Sequence, residues 1–321
     1  MAVYTNLAEE KLRAFLLLFD VGELLTFSGI SEGVENSNFF VQTTRARYIL
    51  TLFEKRVSSQ DLPWFMELMQ FLHAQGIHCP RPVMDRSGTI IHLLEGRPAT
   101  LTTFLNGQWK KNPHQQDCRA LGVAMAKFHW AGKGFVQERL NSVGIHTWRG
   151  LWAQCEEKAE IFEAGLSTKI GRLLTTVEQQ WPSQHAGLPR GQIHADLFPD
   201  NVFFEGDVIS GIIDFYFACT DFLAYDVAIA LNAWCFDKSF LPENVKALLD
   251  GYRSVRHFQP QEWQSLPILC LGAALRFFLT RLHDWFATPE GAHVIKKDPR
   301  EYMMKLDFFS QQRDFLVAFQ A

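Results

Sequence analysis

The sequence predicts an α+β chain of two lobes, a small mixed lobe over residues 1–105 and a larger, mainly helical lobe over 106–321, and three observations lead there. The first hundred residues alternate β-rich runs with turn chemistry and carry one clear helical stripe. From Asn112 the texture becomes helical and stays so. A single pair of short apolar runs, flanking Glu205-Gly206-Asp207, interrupts the helical half.

Taken in order, residues 7–19 form the first helix, with Glu9, Glu10, Lys11, Arg13 and Asp20 breaking its apolar residues at helical spacing. That pattern belongs to an amphipathic surface helix and not to a signal peptide. Residues 26–53 are rich in Phe, Val, Thr, Tyr and Ile, with turns at Ser28-Gly29 and Glu32-Gly33, which predicts two or three antiparallel strands. Asp61 then caps a helix with Pro63 in its first turn and Phe65, Leu68, Met69 and Leu72 as its buried stripe, ending before Gly76. A strand over 89–94 turns at Glu95-Gly96-Arg97 into a second arm over 99–105. Pro113 opens a long helix that runs to about residue 131. The apolar runs at 202–204 and 208–213 read as a hairpin, and helical patterns occupy 224–235, 243–252, 261–286 and 299–319.

A net charge of −4, spread along the chain, offers no basic stripe for a phosphate backbone or an anionic membrane, so neither nucleic acid nor a membrane is the expected partner. Arg276 and Arg281 cut the most apolar late segment, 266–282, below bilayer length. The six cysteines have no metal or redox spacing and read as free thiols in a reducing, cytoplasmic setting. Oligomeric state leaves no trace in the sequence.

One constellation carries chemistry. Phosphoryl transfer needs a carboxylate to orient the attacking hydroxyl and separate oxygens to hold a divalent metal against nucleotide phosphates. His194-Ala195-Asp196-Leu197-Phe198-Pro199-Asp200-Asn201 supplies both: Asp196 for the hydroxyl and Asn201, five residues on, for the metal. The second metal carboxylate belongs just past a following strand, where Gly211-Ile212-Ile213-Asp214-Phe215 places Asp214. The plain alternative is a satisfied loop network, with Asn201 as a turn residue. His194 is as well suited to packing beneath the loop as to meeting substrate. Upstream, Glu32-Gly33-Val34-Glu35-Asn36-Ser37-Asn38 is either a small-residue turn closing over phosphates through Gly33 and Asn36, or an ordinary strand connection, since no Walker-type Gly-Lys-Ser or Gly-Lys-Thr exists in the chain.

At these residues the chain resembles the aminoglycoside phosphotransferase and choline kinase superfamily, whose members are protein-kinase-like enzymes acting on small molecules. Tyr48-Ile49-Leu50-Thr51-Leu52-Phe53-Glu54-Lys55, Ile213-Asp214-Phe215-Tyr216-Phe217-Ala218, Asn232-Ala233-Trp234-Cys235-Phe236 and the run from Ala274 to Leu282 extend the likeness nearly end to end. It is closest to the branch acting on L-homoserine. The resemblance implies a bilobal protein-kinase-like fold, ATP and Mg2+, and transfer of the γ-phosphate to the side-chain hydroxyl of L-homoserine in threonine biosynthesis. It also implies that residues 1–105 bind nucleotide, with an adenine-reading hinge at Phe104 and Leu105, and that 106–321 hold catalysis and acceptor.

Thr51 departs from the superfamily pattern, standing where a phosphate-binding basic residue is usual. Lys55 lies on the same strand face but more than about 10 Å further along, so it is either a substitute or, with Arg56, a solvated strand end. Glu67 is a candidate partner for such a cation, or a plain surface residue. An amino-acid acceptor needs a cation for its carboxylate and an oxygen for its ammonium, and Asp226, Arg276, Arg281 and Asp284 are the candidates, with structural ion pairs as the competing reading. Asp221 and Asp226 also suit the cap of the helix near Ala224. Other open readings are a different hydroxyl acceptor (amino alcohol, sugar or aminoglycoside) and a nucleotide-binding scaffold without turnover; a metal-dependent hydrolase lacks the histidine clusters it requires.

Overall fold

The computed structural model describes residues 5–30, 36–54, 57–182, 187–287 and 296–319. The chain divides into two compact units, one of residues 1–107, 210–216 and 291–295, the other of 108–209, 217–290 and 296–321.

In the first unit, helix α1 (Glu9–Leu16) precedes strands β1 (Leu24–Gly29), β2 (Ser37–Thr43) and β3 (Arg47–Leu52), then helix α2 (Leu62–Ala74) and strands β4 (His92–Leu94) and β5 (Arg97–Thr103). The strands form one antiparallel sheet in the order β1-β2-β3-β5-β4. Strand alternation sorts its faces. Phe39, Val41, Leu50, Leu52, Ala99 and Leu101 point to one side and are buried with Leu12, Phe15, Leu16 and Phe19 of the α1 segment. The other side carries Asn38, Phe40, Ile49, Thr51, Thr100 and Thr102. The expected hairpin turns at Glu95 (φ +53°) and Gly96 (φ +71°), two consecutive left-handed residues that match the twist of antiparallel strands. The strand expected from residue 89 begins only at His92, because Asp85 Oδ1 accepts from the N–H groups of Ser87 and Thr89 and ties that stretch into a local turn.

The second unit is mainly helical: α3 (Gln115–Gly132), α4 (Ile145–Phe162), α5 (Leu166–Gln180), α6 (Leu223–Trp234), α7 (Pro242–Arg253), α8 (Pro260–Ala287) and α9 (Arg300–Gln311). Strand β6 (Arg190–Ile193) pairs antiparallel with β9 (Cys219–Phe222), a two-stranded sheet that the sequence pattern does not announce. Strands β7 (Val202–Glu205) and β8 (Val208–Ile212) pair around Gly206 (φ +62°) as the expected hairpin. Helix α8 is long and apolar enough to cross a membrane by length and composition, yet 78% of its most apolar window is buried among the other helices of a globular core. Helix α9 ends at Gln311, short of the expected residue 319, because Phe315 turns back onto Phe240, Phe308 and Phe309. Aromatic burial there outweighs further helix hydrogen bonds.

Helices α3 and α7 meet backbone to backbone. A Cβ on Gly122 would lie 2.1 Å from the carbonyl oxygen of Leu248, and one on Gly251 would lie 2.2 Å from that of Arg119. Glycine at both positions is what lets His129 and Tyr252 come within hydrogen-bond reach. All six cysteines are free and buried.

Candidate active site

Strand β6 delivers the chain to Ala195, whose φ of +62° is a left-handed conformation that a residue with a Cβ adopts only under constraint. Two clamps supply the constraint. The carboxylate of Asp226, fully buried in the first turn of α6, accepts the N–H of Ala195 at 2.8 Å and that of His194 at 3.0 Å. From α8, Arg276 Nη1 donates to the Ala195 carbonyl oxygen at 2.6 Å, with its guanidinium against the rings of Phe277 and Phe217. The peptide groups on both sides of Ala195 are thus held by charged groups, the stronger class of hydrogen bond. The ring of His194 lies buried beneath the loop and its Nδ1 accepts the N–H of Asp196 at 3.3 Å, which favours the packing role over contact with substrate. Trp234 Nε1 holds the Leu197 carbonyl oxygen at 2.8 Å.

The loop presents Asp196 half-buried, followed by a 3-10 turn at Pro199–Asn201. That turn brings Asn201 back: its Nδ2 donates to the backbone oxygen of Asp196 at 2.8 Å and to Oδ2 at 3.3 Å. With the amide nitrogen committed, Oδ1 is the atom Asn201 offers outward. Burial pushes the Asp196 carboxyl above its ordinary 3.8, while Arg276 and Lys297 pull it back by less. A buried carboxylate made more basic is a better proton acceptor.

Asp214, two residues past the end of β8, adopts a left-handed conformation (φ +64°). Asn201 and Asp214 are hard oxygen donors, the kind that suit a magnesium-class cation and not a soft transition metal. Among the described residues no group of three or more His, Cys, Asp or Glu side chains is arranged to hold a metal.

Of the expected nucleotide residues, Gly33 and Lys55 lie outside the described residues. Asn36 is buried, and its Oδ1 accepts the N–H of Glu54 at 3.3 Å, fastening the start of β2 to the end of β3. Thr51, at the position of the missing basic residue, donates to Asn38 Oδ1 at 2.8 Å across the β2–β3 ladder. The two residues expected at the hinge, Phe104 and Leu105, are both described. The Phe104 ring packs edge-on against Phe40 and under the Arg47 guanidinium. Among the described residues, Leu105 has no backbone partner for its N–H or its carbonyl oxygen. Glu67 is exposed on α2.

Of the acceptor candidates, Asp226 and Arg276 hydrogen-bond the loop backbone, Asp226 at the N–H groups of His194 and Ala195 and Arg276 at the Ala195 carbonyl oxygen. Arg281 is paired with Glu301 and stacked on Tyr302, which satisfies its charge internally. Asp284 is half-buried with His283 Nδ1 at 3.4 Å from its Oδ1. Neither Asp221 nor Asp226 caps α6: Asp221 accepts from Asn141 at 2.8 Å and from the N–H of Phe222. Two residues carried no signal in the sequence: Lys297, which acts on Asp196 and stands 3.9 Å from Asp200, and His129, whose Nε2 meets Asp226 at 3.1 Å. A lone histidine in an apolar helical stripe looks like any core residue until its partners are placed.

Comparison with known proteins follows the same lines. The family model described as "Phosphotransferase enzyme family" matches residues 26–258. Homoserine kinase of Rhizobium etli is 53% identical over 313 residues, covering 97% of this chain and 97% of its own. Homoserine kinase of Agrobacterium fabrum is 52% identical over 310 residues, covering 96% and 95%. Among solved structures, amicoumacin kinase hAmiN in complex with AMP-PNP, Ca2+ and Ami superposes with a TM-score of 0.71 at 16% identity, over 96% of this chain and 93% of its own. The microcompartment-associated aminopropanol kinase gives 0.68 at 16% identity, over 97% and 98%. At that identity the structures establish the shared kinase-like fold.

Proposed function

The chain belongs to the phosphotransferase enzyme family, and from that membership we propose that it transfers the γ-phosphoryl group of ATP to the side-chain hydroxyl of L-homoserine, giving O-phospho-L-homoserine. One observation carries the choice of acceptor: the relatives named homoserine kinase match 97% of the chain at 53% identity, so likeness extends through every element that builds the acceptor side. We infer from this reaction a role in threonine biosynthesis, carried out in the cytoplasm.

Asp196 orients the homoserine hydroxyl and takes its proton as the oxygen attacks phosphorus. Its half-burial supports this, since a desolvated carboxylate gains basicity, and the clamped Ala195 fixes where it points. Asn201, through Oδ1, and Asp214 are the residues that would hold Mg2+. A bound Mg2+ supplies charge neutralisation along the nucleotide phosphates. The N–H and carbonyl oxygen of Leu105, without a backbone partner among the described residues, and Phe104 beside them suit the edge of adenine. Gly33, with Asn36 bracing the strand beside it, and Lys55 remain the proposed phosphate contacts. The smaller unit then binds nucleotide and the larger carries catalysis and acceptor. Lys297 is the cation offered to the acceptor carboxylate, in place of Arg276 and Arg281.

A coupled ADP-release assay across L-homoserine, choline, ethanolamine, sugars and aminoglycosides tests this. ADP release with homoserine, far above every other acceptor, is the expected result. Release with a different acceptor overturns the substrate assignment, and release with none in the presence of Mg2+ and ATP leaves a nucleotide-binding scaffold.

A further inference from the structure

The support of the catalytic loop does not stop at Asp226. Behind it runs a buried line of side chains: His129 Nε2 lies 3.1 Å from Asp226 Oδ2, and His129 Nδ1 lies 2.8 Å from the Tyr252 hydroxyl. That hydroxyl accepts from Arg256 Nη1 at 3.0 Å, and Arg256 Nη2 reaches both oxygens of Glu262, at 3.0 and 2.9 Å. His129, Tyr252, Arg256 and Glu262 are all buried, Glu262 at 0% exposure, so no water competes for these bonds.

Donor and acceptor chemistry gives the line a direction. Asp226 already accepts two backbone N–H groups and, as a carboxylate, can only accept, so Nε2 must carry a proton. A neutral ring then accepts at Nδ1, and only the Tyr252 hydroxyl faces it. The phenol oxygen, its own proton spent on His129, accepts from Arg256, a group that can only donate. Every donor finds an acceptor in this one arrangement. A doubly protonated ring would instead turn an N–H toward the phenol oxygen that Arg256 already occupies, with a second cation beside it.

We propose that Tyr252, Arg256 and Glu262 are positioning residues for phosphoryl transfer: they hold His129 in the tautomer whose Nε2–H supports Asp226, and through Asp226 they fix the loop that aims Asp196. They touch neither ATP nor acceptor. The inference rests on Asp196 being the catalytic carboxylate. The charged and titratable groups facing this line are Asp226 on α6, His194 after β6, Tyr252 on α7, Arg256 just past its end and Glu262 on α8, with Asp221 and Cys219 of β9 coupled to Asp226 by charge.

Removing the phenol oxygen with Tyr252→Phe strands Nδ1 without a donor. The neutral ring is then loosely held. We expect kcat for homoserine to fall on the order of tenfold with both KM values within about twofold, a loss of aim and not of binding. A loss confined to KM, or wild-type kcat, overturns the proposal.

A second measurement needs no turnover. In wild-type protein labelled with 15N-histidine, the His129 ring nitrogens, identified by their loss in His129→Gln, should show a proton on Nε2 alone at pH 8.5. A proton on Nδ1 alone, or on both nitrogens, refutes the inference. If wild type releases no ADP with homoserine, the functional reading fails while the ring measurement still decides this one.

Discussion

Asp226→Asn is the perturbation whose cost the structure lets one work out most fully. The wild-type carboxylate takes three donors on two oxygens: the N–H of Ala195 on Oδ1, and the N–H of His194 with His129 Nε2 on Oδ2. Burial pushes this carboxyl up, but the hydrogen bonds from His129 and from the His194 N–H help to outweigh it and hold it below its ordinary value. Asparagine keeps one oxygen for Ala195 and turns an NH2 group toward the other two donors. His129 can switch tautomer and accept; the His194 N–H cannot, and stays buried against another donor. One lost charge-assisted bond, one orphaned N–H and the tautomer switch together come to roughly 3–5 kcal/mol. For a unit of about two hundred residues that is a melting-point drop of roughly 7–12 °C. The loop at Ala195, no longer clamped on its N–H side, should relax from its left-handed conformation and cost kcat on the order of a hundredfold. Calorimetry and steady-state ADP release on the same preparation check both numbers. A variant that melts within 1 °C of wild type and keeps half its kcat refutes the clamp.

Gly122→Ala should destabilise by roughly 2–4 kcal/mol in urea unfolding, because its Cβ meets the Leu248 carbonyl oxygen at 2.1 Å and backbone cannot step aside. Gly150→Ala, on α4 with nothing within 4 Å of the added carbon, should be neutral or stabilising by up to about 1 kcal/mol; equal behaviour of the two would mean that helix propensity, not helix approach, decides. Burial raises the Glu301 carboxyl, but Lys305 and Arg281 overcome this and bring it down to about 2 from an ordinary 4.5. A carboxyl lowered on folding contributes stability that is complete above pH 4.5 and fades as pH falls toward 2. With the side chain 49% exposed, screening keeps the contribution to about 1 kcal/mol. The melting-point gap between wild type and Glu301→Gln should therefore be largest near neutrality and more than halved at pH 3; a gap independent of pH would show that Glu301 acts by packing alone.

What the sequence made legible was what is local. Asp61, Pro63 and Gly76 bounded α2, Glu95-Gly96 set a hairpin, and the spacing of Asp196, Asn201 and Asp214 pointed to phosphoryl transfer before any coordinate did. Strands β6 and β9 escaped because each is four residues long, too short to show a period, and the partner lies more than twenty residues away. The clamps on Ala195 escaped for a related reason. Asp226 and Arg276 drew attention as charges in apolar helices, but a charge serves a buried backbone or a ligand equally well, and only the fold shows which groups it faces. His129 left no trace, because the polar groups that give it meaning come from helices over ninety residues further on.

The central claim is that Asp196 performs phosphoryl transfer to homoserine, and Asp196→Asn tests it most directly. The substitution keeps the shape of the side chain and the backbone oxygen that Asn201 holds, while removing the acceptor of the hydroxyl proton. Measured by homoserine-dependent ADP release, kcat should fall by about a thousandfold or more while ATP binding, followed by titration calorimetry, stays within a few-fold of wild type. Turnover near the wild-type rate in that variant would contradict the assignment of Asp196 and, with it, the chemistry proposed for the loop.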